Sequence, residues 1–491
     1  EAHLTAVNAA DEQTAEIHLA RVDGPKAEAI INITFNHKEL SLRLRAKVEE
    51  AEGGVLAALM NLPGPTALNL EGEGPLREWK GNLKAGVGGL GELETSLFLE
   101  TLDGPKLKAE GKMRVHSARL PAQLRRLLSD ETRFAMTLRM PHKQSIGVDY
   151  LNVDGNKISL RLKGAVDFEQ SRSTGEFTLN CGDLALLGDP GGSRFAGSAE
   201  VDARFSGPLL NPQTTLLVNI RNVEFDKFRA DAMHADLRIG LVSPLAKEFS
   251  GIILSGSGSL ENFAHLDVEA MPERELRWSI DAEGPLKEIV QIRKFRLSGE
   301  KTSLETSGHL NLADLSGKGE VSLTVEDLRR ISRLFKADIP GSTKTHVSFD
   351  GNATKRLFTA QIQGQLNMSE ASSSRLTPFL GSNISYAGQI KLTDENKVSI
   401  AKLQLDTVPG KITGAVSLDL ASQELDSALR IVVPKLAFLS PVLTRTIDGS
   451  LEMDSVITGT LSLPKFNVKA NAKNLVYEQL NLQTVTANIH T

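Results

Sequence analysis

Apolar and polar residues alternate along most of the chain. From Leu40 to Arg45 the leucines occupy every second position, and the residues between them are polar. The same alternation is present from Ile158 to Lys163, Val321 to Val325, Val416 to Leu420 and Phe466 to Ala470. A period of two places successive side chains on opposite faces of a strand, so each stretch predicts a β-strand with one apolar face.

The alternation also predicts how the strands pair. Parallel sheets are buried on both faces and have continuous apolar strands, whereas antiparallel sheets often keep one face in water. We therefore predict an all-β fold, an elongated and repetitive antiparallel sheet folded lengthwise into a U-shaped trough (a β-taco) with a few short amphipathic helices. The same pattern argues against an α/β enzyme fold.

Glycine-led turns repeat between the predicted strands. A glycine, which tolerates positive φ, opens a short polar or proline-containing connection, and an alternating strand follows. The seven instances begin at Gly24, Gly74, Gly104, Gly207, Gly284, Gly351 and Gly459. Their irregular spacing favours a loosely repeated β structure over a propeller with regular blades.

Three short stretches have helical rather than strand periodicity: Leu120 to Leu128, Asp327 to Phe335, and Leu436 to Val442. A basic amphipathic helix can lie on a membrane surface, but each stretch is too short to bind a bilayer alone. We therefore expect these helices to cap or plug the sheet.

The length of 491 residues exceeds that of one ordinary domain core. We expect one continuous repetitive segment of a longer protein, since the sequence starts without a signal segment and ends within a predicted strand. The helices divide it into possible sub-modules, 1–118, 119–324, 325–434 and 435–491. No apolar run approaches the length of a membrane span.

Composition narrows the class of partner. The 56 basic and 61 acidic residues are spread evenly, which argues against nucleic-acid binding. Aromatic residues make up only 5% of the chain, which suits a surface built from aliphatic strands. The single cysteine, Cys181, allows neither an intrachain disulfide nor a thiolate metal site.

Candidate catalytic signals are weak. Residues Gly86 to Gly91 match G-x-G-x-x-G formally, but Glu92 to Leu99 predicts a strand where a dinucleotide site requires a helix. The ten histidines stand singly, without the spacing of a zinc site, and no G-x-S-x-G elbow occurs. We predict no catalytic residue, no metal site and no cofactor, so we expect the chain not to be an enzyme; an envelope hydrolase stays as a third alternative.

Two stretches share one cadence: a glycine-led strand, a second glycine, a proline, another strand, and an asparagine followed by an apolar residue. The first runs from Gly197 to Val223, and the second from Gly449 to Leu475. Both resemble the family of TamB, the inner-membrane component of the translocation and assembly module, within the AsmA-like or bridge-like lipid-transfer superfamily.

The resemblance implies a periplasmic body of Gram-negative bacteria that is anchored in the inner membrane through an N-terminal segment absent here. It implies phospholipids as cargo, and a partner barrel protein of the TamA or BamA type, contacted through the C-terminal end of the longer protein. It also implies a β-taco with an apolar interior.

The residues lead to the same hypothesis independently. A sheet with one apolar face must cover that face, and acyl chains can do so with a gain of about 0.8 kcal/mol per methylene. A filled core, as in a solenoid or a row of sandwiches, is the structural alternative, although few large aromatics are present to fill it. A lipid conduit and a strand-lending scaffold for outer-membrane protein assembly are the two functional alternatives, of which we favour the conduit.

By parity, the predicted lining of the lipid groove comprises Leu40, Leu42, Leu44, Ile158, Leu160, Leu162, Leu216, Val218, Ile220, Val321, Leu323, Val325, Val416, Leu418, Leu420, Phe466 and Val468.

Overall fold

The computed structural model forms two compact units, Glu1–Leu241 (unit 1) and Val242–Thr491 (unit 2). The residues that it describes are 1–9, 11–54, 64–88, 90–102, 104–115, 131–142, 144–187, 195–241, 251–265, 273–285, 289–332, 339–368, 381–393 and 396–490. The predicted helix from Leu120 to Leu128 lies outside these residues.

The strands of unit 1 are β1 (Ala2–Asn8), β2 (Glu12–Ala20), β3 (Ala27–Asn36), β4 (Ser41–Glu50), β5 (Thr66–Pro75), β6 (Glu78–Val87), β7 (Gly91–Glu100), β8 (Lys106–Val115), β9 (Thr132–Arg139), β10 (Ser145–Asp154), β11 (Ile158–Asp167), β12 (Arg172–Cys181), β13 (Phe195–Pro208), β14 (Gln213–Phe225) and β15 (Phe228–Leu241). A 3₁₀ helix, η1 (Leu184–Leu187), lies between β12 and β13.

The strands of unit 2 are β16 (Ile252–Glu261), β17 (Ala264–His265), β18 (Glu275–Gly284), β19 (Ile289–Ser298), β20 (Thr302–Asn311), β21 (Ser316–Val325), β22 (Ser342–Asn352), β23 (Leu357–Asn367), β24 (Asn383–Leu392), β25 (Lys397–Thr407), β26 (Lys411–Asp419), β27 (Glu424–Val433), β28 (Ile447–Thr460), β29 (Leu463–Tyr477) and β30 (Leu480–His490). Its helices are α1 (Leu328–Ser332), the 3₁₀ helix η2 (Leu436–Leu439) and α2 (Ser440–Leu443).

Pairing follows chain order in both units. In unit 1 every strand from β1 to β15 is antiparallel to the next. In unit 2 the same holds from β18 to β30, and β16 pairs with β18. In the described residues neither unit pairs its last strand with its first, so each sheet is open. The prediction of an all-β, antiparallel, open sheet is therefore confirmed.

Because consecutive strands are antiparallel, each sheet has two edges made of connections. In unit 1 the turns after β1, β3, β5, β7, β9, β11 and β13 form one edge, which we name the short-turn edge. The connections after even-numbered strands form the opposite edge, and those after β4, β8 and β12 are long. In unit 2 the long connections after β21, β23 and β27 likewise share one edge.

Five of the short turns share one structure. Each begins with an Asn or Asp that ends a strand, and its side-chain oxygen accepts hydrogen bonds from backbone N–H groups in the turn. The fourth residue after it has left-handed φ. The Asn or Asp residues are Asn36, Asp167, Asn311, Asn352 and Asp419, and the left-handed residues are Leu40, Ser171, Leu315, Arg356 and Gln423. The side chain replaces a backbone acceptor and so fixes the turn.

Three strand ends lead into helical caps with a common spacing. β12, β21 and β27 end at Cys181, Val325 and Val433, and the leucine three residues later starts η1, α1 or η2 in each case. Leu184 and Leu436, which start the two 3₁₀ helices, are buried. The predicted helices at 327–335 and 436–442 are thus present over their described residues, whereas η1 was missed because four residues show no helical period.

The two stretches with the shared sequence pattern contain the same backbone feature, a β-bulge. The glycine that opens each one, Gly197 in β13 and Gly449 in β28, stands at a register shift, opposite an asparagine with left-handed φ. These asparagines are Asn222 and Asn474. A bulge of this kind bends a strand and increases its twist. The shared sequence pattern therefore corresponds to a β-bulge that occurs once in each unit.

Candidate functional site

A continuous apolar face crosses the sheet of unit 1. Residues directly opposite each other in antiparallel strands share a face, so the strand register shows which side chains lie together. One such row, from β1 to β15, is Leu4, Ile17, Ile31, Ala46, Leu70, Leu83, Thr95, Gly111, Phe134, Val153, Leu160, Leu179, Val201, Val218 and Ala235. Only Thr95 in this row is polar, and its hydroxyl donates to the backbone carbonyl of Glu110.

Most of the predicted groove residues of unit 1 lie on this apolar face. Leu160 and Val218 belong to the row above. Leu42 and Leu44 of β4, Ile158 and Leu162 of β11, and Leu216 and Ile220 of β14 have the same strand parity as Ala46, Leu160 and Val218. All of them are half-buried, which describes an apolar surface that remains partly accessible.

Unit 2 has a corresponding face. Its row from β16 to β30 is Gly258, Trp278, Leu297, Leu304, Leu323, Thr345, Gly364, Tyr386, Leu405, Ile412, Ile431, Met453, Ala470 and Ala487. The predicted residues on this face are Val321, Leu323, Val325, Val416, Leu418, Phe466 and Val468. Val325 is fully buried beside α1, whereas Phe466 is exposed.

Two predicted groove residues lie outside strands. Leu40 precedes β4 and Leu420 follows β26, and both belong to the Asn- or Asp-capped turns. Their side chains are 59% and 54% exposed. The alternation continues into these turns, but the strands stop because Asn36 and Asp419 bond the turn backbone. The predicted strand boundaries were therefore wrong by one residue at both places.

Aromatic side chains cover glycines on the apolar face. The Trp79 indole lies over Gly72 and Gly81, where a Cβ atom would overlap the ring. Its N–H donates to the backbone carbonyl of Leu42 at 3.1 Å, and the residue is 6% exposed. In unit 2 the Tyr386 ring lies over Gly364 in the same way. A glycine gives the ring room to lie flat, so large side chains cover the sheet without rising far above it.

A small polar cluster interrupts the face of unit 2. The hydroxyl oxygens of Thr345 and Tyr386 are 2.5 Å apart, and those of Thr343 and Tyr386 are 3.2 Å apart. The Thr343 hydroxyl also donates to the backbone carbonyl of Gln365 at 2.9 Å. These hydrogen bonds satisfy polar groups that would otherwise be costly on an apolar surface. Sequence reasoning missed this cluster, because the three residues meet only through the strand register.

The cap η1 covers one end of the apolar face of unit 1. Leu184 and Cys181 are buried together, and Ile158, Ile220 and Phe195 pack against them. Two predicted groove residues, Ile158 and Ile220, are therefore covered by the protein itself. They lie toward the edge that carries the long connections.

The opposite face is polar, and its charges are paired across strands. In unit 1 the Lys84 ammonium lies 2.9 Å from the Glu94 carboxylate, and the Arg43 guanidinium 3.1 Å from that of Glu73. A hollow of about 860 Å³ on this face is lined by long charged side chains, among them Arg43, Arg45 and Lys108. It is a gap between positively and negatively charged side chains that pair with each other, so it offers no site for a ligand of one charge.

The residues whose pKa is shifted lie on the polar face or in turns. A hydrogen bond from Lys84 lowers the pKa of Glu94, and the same pair raises the pKa of Lys84. Hydrogen bonds from Arg296 and then Lys294 lower the pKa of Glu305. In the turn after β26, backbone N–H groups lower the pKa of Asp419. Each shift favours the charged form, which fits structural ion pairs and not a catalytic acid or base.

The described part of the chain contains neither a metal-binding cluster nor a membrane-spanning helix. No group of three His, Cys, Asp or Glu side chains there is arranged to hold a metal ion. Likewise, no helix there has the length and apolarity needed to cross a bilayer. The formal G-x-G-x-x-G stretch begins in β6 and ends at the first residue of β7, so a strand follows it.

Comparison with protein-family models identifies the family of the chain. The family model described as TamB, N-terminal domain, matches residues 246–491. The chain belongs to the TamB family. No curated protein and no solved structure matches the chain.

Membership in the TamB family sets the broad functional class. The family is a non-enzymatic transport and assembly module of the bacterial envelope, with a role in outer-membrane protein assembly or lipid transport. The matched region contains the repeated bulge at Gly449 and Asn474, the cap η2, and the apolar face of unit 2.

Proposed function

We propose that the chain conducts phospholipids through the periplasm, between the inner and outer membranes, in the service of outer-membrane biogenesis. The acyl chains move along the apolar face, and the headgroups stay in water. The observation that carries this proposal is the apolar row that crosses every strand of unit 1 from Leu4 to Ala235. The face of unit 2 supports it independently.

The energetics fit movement along the face. Burial of a methylene gains about 0.8 kcal/mol, so a chain of about sixteen carbons gains on the order of 12 kcal/mol relative to water. Neighbouring strands are about 4.8 Å apart, and each presents a similar set of aliphatic side chains. The gain is therefore nearly uniform from strand to strand, which lets a lipid slide without a large barrier.

In the longer protein, we propose an N-terminal anchor in the inner membrane and contact with a barrel protein of the TamA or BamA type at the C-terminal end. Family membership supports envelope partners of this kind.

The test is native mass spectrometry with lipid extraction of the protein purified from a bacterial envelope in mild detergent. We expect several phospholipids per chain, and we expect Leu160→Asp with Leu323→Asp to remove most of them. A charge on the apolar face is costly to an adjacent acyl chain because neither residue has a basic neighbour in its row.

The matched controls carry the same charge on the polar face of the same strands. Ser159 lies beside Leu160, and Thr324 beside Leu323, with opposite parity. Ser159→Asp and Thr324→Asp should leave bound lipid unchanged. If the wild-type protein carries no lipid, or if both pairs of variants behave alike, the conduit proposal fails.

A second candidate is a scaffold that lends a strand edge to outer-membrane proteins during assembly. The strand β30 favours it: its eleven residues include no Asp, Glu, Lys or Arg, and it pairs with β29 on one side only in the described chain. Uncharged strand edges are templates for pairing with another chain. The substitutions Thr484→Lys and Thr486→Lys should block pairing of β30 with a strand of a client protein, which crosslinking measures. They should leave bound lipid unchanged.

A further inference from the structure

The short-turn edge of unit 1 carries exposed apolar side chains. Five of its seven turns present a large exposed hydrophobic residue among the described residues, and these are Leu40, Leu102, Met140, Phe168, Leu209 and Leu210. Leu210 is 73% exposed. On the opposite edge, the described residues of this kind are Val22 and Phe225. Tips of hairpin turns are ordinarily polar, so the short-turn edge departs from the usual composition.

Leucine is an unfavourable residue for the backbone conformation at position 40. The backbone of Leu40 is left-handed, with φ of 49°, a conformation that suits Gly or Asn and is unfavourable for a bulky residue. In the equivalent turn of unit 2, Leu315 has φ of 54° and is also exposed. A residue that combines strain with exposure of apolar surface is explained by an interaction outside the fold.

The turns form a row with fixed backbones. The Leu76 N–H donates to the Leu40 carbonyl at 2.8 Å, and the Leu209 N–H donates to the Ser171 carbonyl at 2.7 Å. The hydrogen-bond ladder of the strands thus extends into the turns. The apolar side chains are held at the edge by the sheet, at intervals of about 9.6 Å, two strand spacings.

The apolar face reaches the short-turn edge through β4. Leu42 is the second residue of that strand, and the exposed Leu40 precedes the strand in the turn. At the opposite end of the strands, Leu184 of η1 covers Ile158 and Ile220. An acyl chain that leaves the face laterally at the short-turn edge therefore meets the exposed apolar side chains of its turns.

We propose that the short-turn edge of unit 1 docks on a phospholipid bilayer and forms the lip over which acyl chains enter or leave the apolar face. This inference rests on the proposed function. A bilayer suits the edge because the described charged residues of its turns nearly balance, with Lys38 and Arg77 against Asp11, Glu39 and Glu169. Apolar side chains on a fixed frame insert into the interface without needing a charged or sequence-specific partner.

The experiment is flotation of the full chain with phosphatidylcholine vesicles. Replacement of Leu209 and Leu210 by Ser should weaken binding about tenfold, because two exposed leucines leave the bilayer interface. Val22→Ser removes an equally exposed side chain from the opposite edge and should leave binding unchanged. Raising the salt concentration should have little effect, since the contact is apolar.

The variant Leu40→Asn should change stability and vesicle binding in opposite directions. Asparagine accepts left-handed φ, so we expect this variant to unfold at a higher temperature while it binds vesicles less tightly. Vesicle binding that is unchanged in both turn variants would overturn the lip proposal. If the purified turn variants keep their bound lipid but no longer bind vesicles, the lip proposal is supported. If the wild-type protein carries no lipid but still binds vesicles through these leucines, the conduit proposal alone fails.

Discussion

Trp79 and Phe98 lie one strand apart, on opposite faces of the sheet. Trp79 of β6 covers two glycines on the apolar face and bonds a backbone carbonyl of β4. Phe98 of β7 lies between the Lys80 and Lys108 ammonium groups on the polar face, 5.9 and 5.1 Å from its ring centroid. One aromatic residue extends an apolar surface, whereas the other supports a charged one. The contrast teaches that the face of the sheet, and not the residue type, determines the role of a side chain.

The largest effect that separates the two faces should come from truncating these rings. Trp79→Ala should lower the free energy of unfolding by about 3 kcal/mol, because it opens a cavity and removes a hydrogen bond. Phe98→Ala should cost about 1 kcal/mol, since the ring is partly exposed and loses mainly cation–π contacts. Urea denaturation followed by circular dichroism measures both values. Equal losses would show that the faces do not differ in packing.

A smaller effect should come from the polar cluster on the apolar face of unit 2. Tyr386→Phe removes the hydroxyl that Thr343 and Thr345 share, so we expect a loss of about 1 kcal/mol in unfolding free energy. The face becomes more uniformly apolar, and the variant should retain at least as much lipid as the wild type in native mass spectrometry. Tyr150→Phe in unit 1 is the matched control outside the cluster. Lower lipid retention in Tyr386→Phe alone would assign the cluster a direct part in lipid binding.

The smallest effect should be the pH dependence of the polar face. The pKa of Glu305 is lowered by Arg296 and Lys294, so its contribution to stability is present above the ordinary carboxyl pKa and is lost as pH falls through the lowered value. Glu305→Gln should therefore reduce the part of the stability that depends on acid pH, and the effect should be small because the ion pairs of Glu305 are exposed. Melting temperatures between about pH 3 and pH 7 test this. Lipid binding should stay constant over the neutral range, because the two apolar rows, Leu4 to Ala235 and Gly258 to Ala487, contain no carboxyl, amino or imidazole group.

Much of the fold follows from the sequence. Period-two alternation predicts strands such as β11 and β21, because one face of each meets a different environment from the other. Six of the seven predicted turn glycines have positive φ, and the seventh, Gly351, lies within β22. The boundaries at Leu40 and Leu420 were wrong because hydrophobicity alone does not show that Asn36 and Asp419 end the ladder.

Other features depend on register, which one sequence does not reveal. Trp79 covers Gly72 only because β5 and β6 pair in one particular alignment, and a shift of one residue would move the ring to the polar face. Tyr386 meets Thr343 and Thr345 through β23, which lies between them. The cap η1 has too few residues for a helical period. That the predicted groove residues contact lipid stays a prediction, for which the Leu160 and Leu323 variants provide the test.

The placement of the long connections on one edge has a consequence for how the protein changes length. A hairpin inserted at any turn adds two strands, restores the chain direction and keeps every apolar side chain on its face. A single added strand would send all later long connections to the opposite edge. The path offered to a lipid can therefore lengthen or shorten in steps of one hairpin, about 9.6 Å, and relatives of different reach should differ by even numbers of strands.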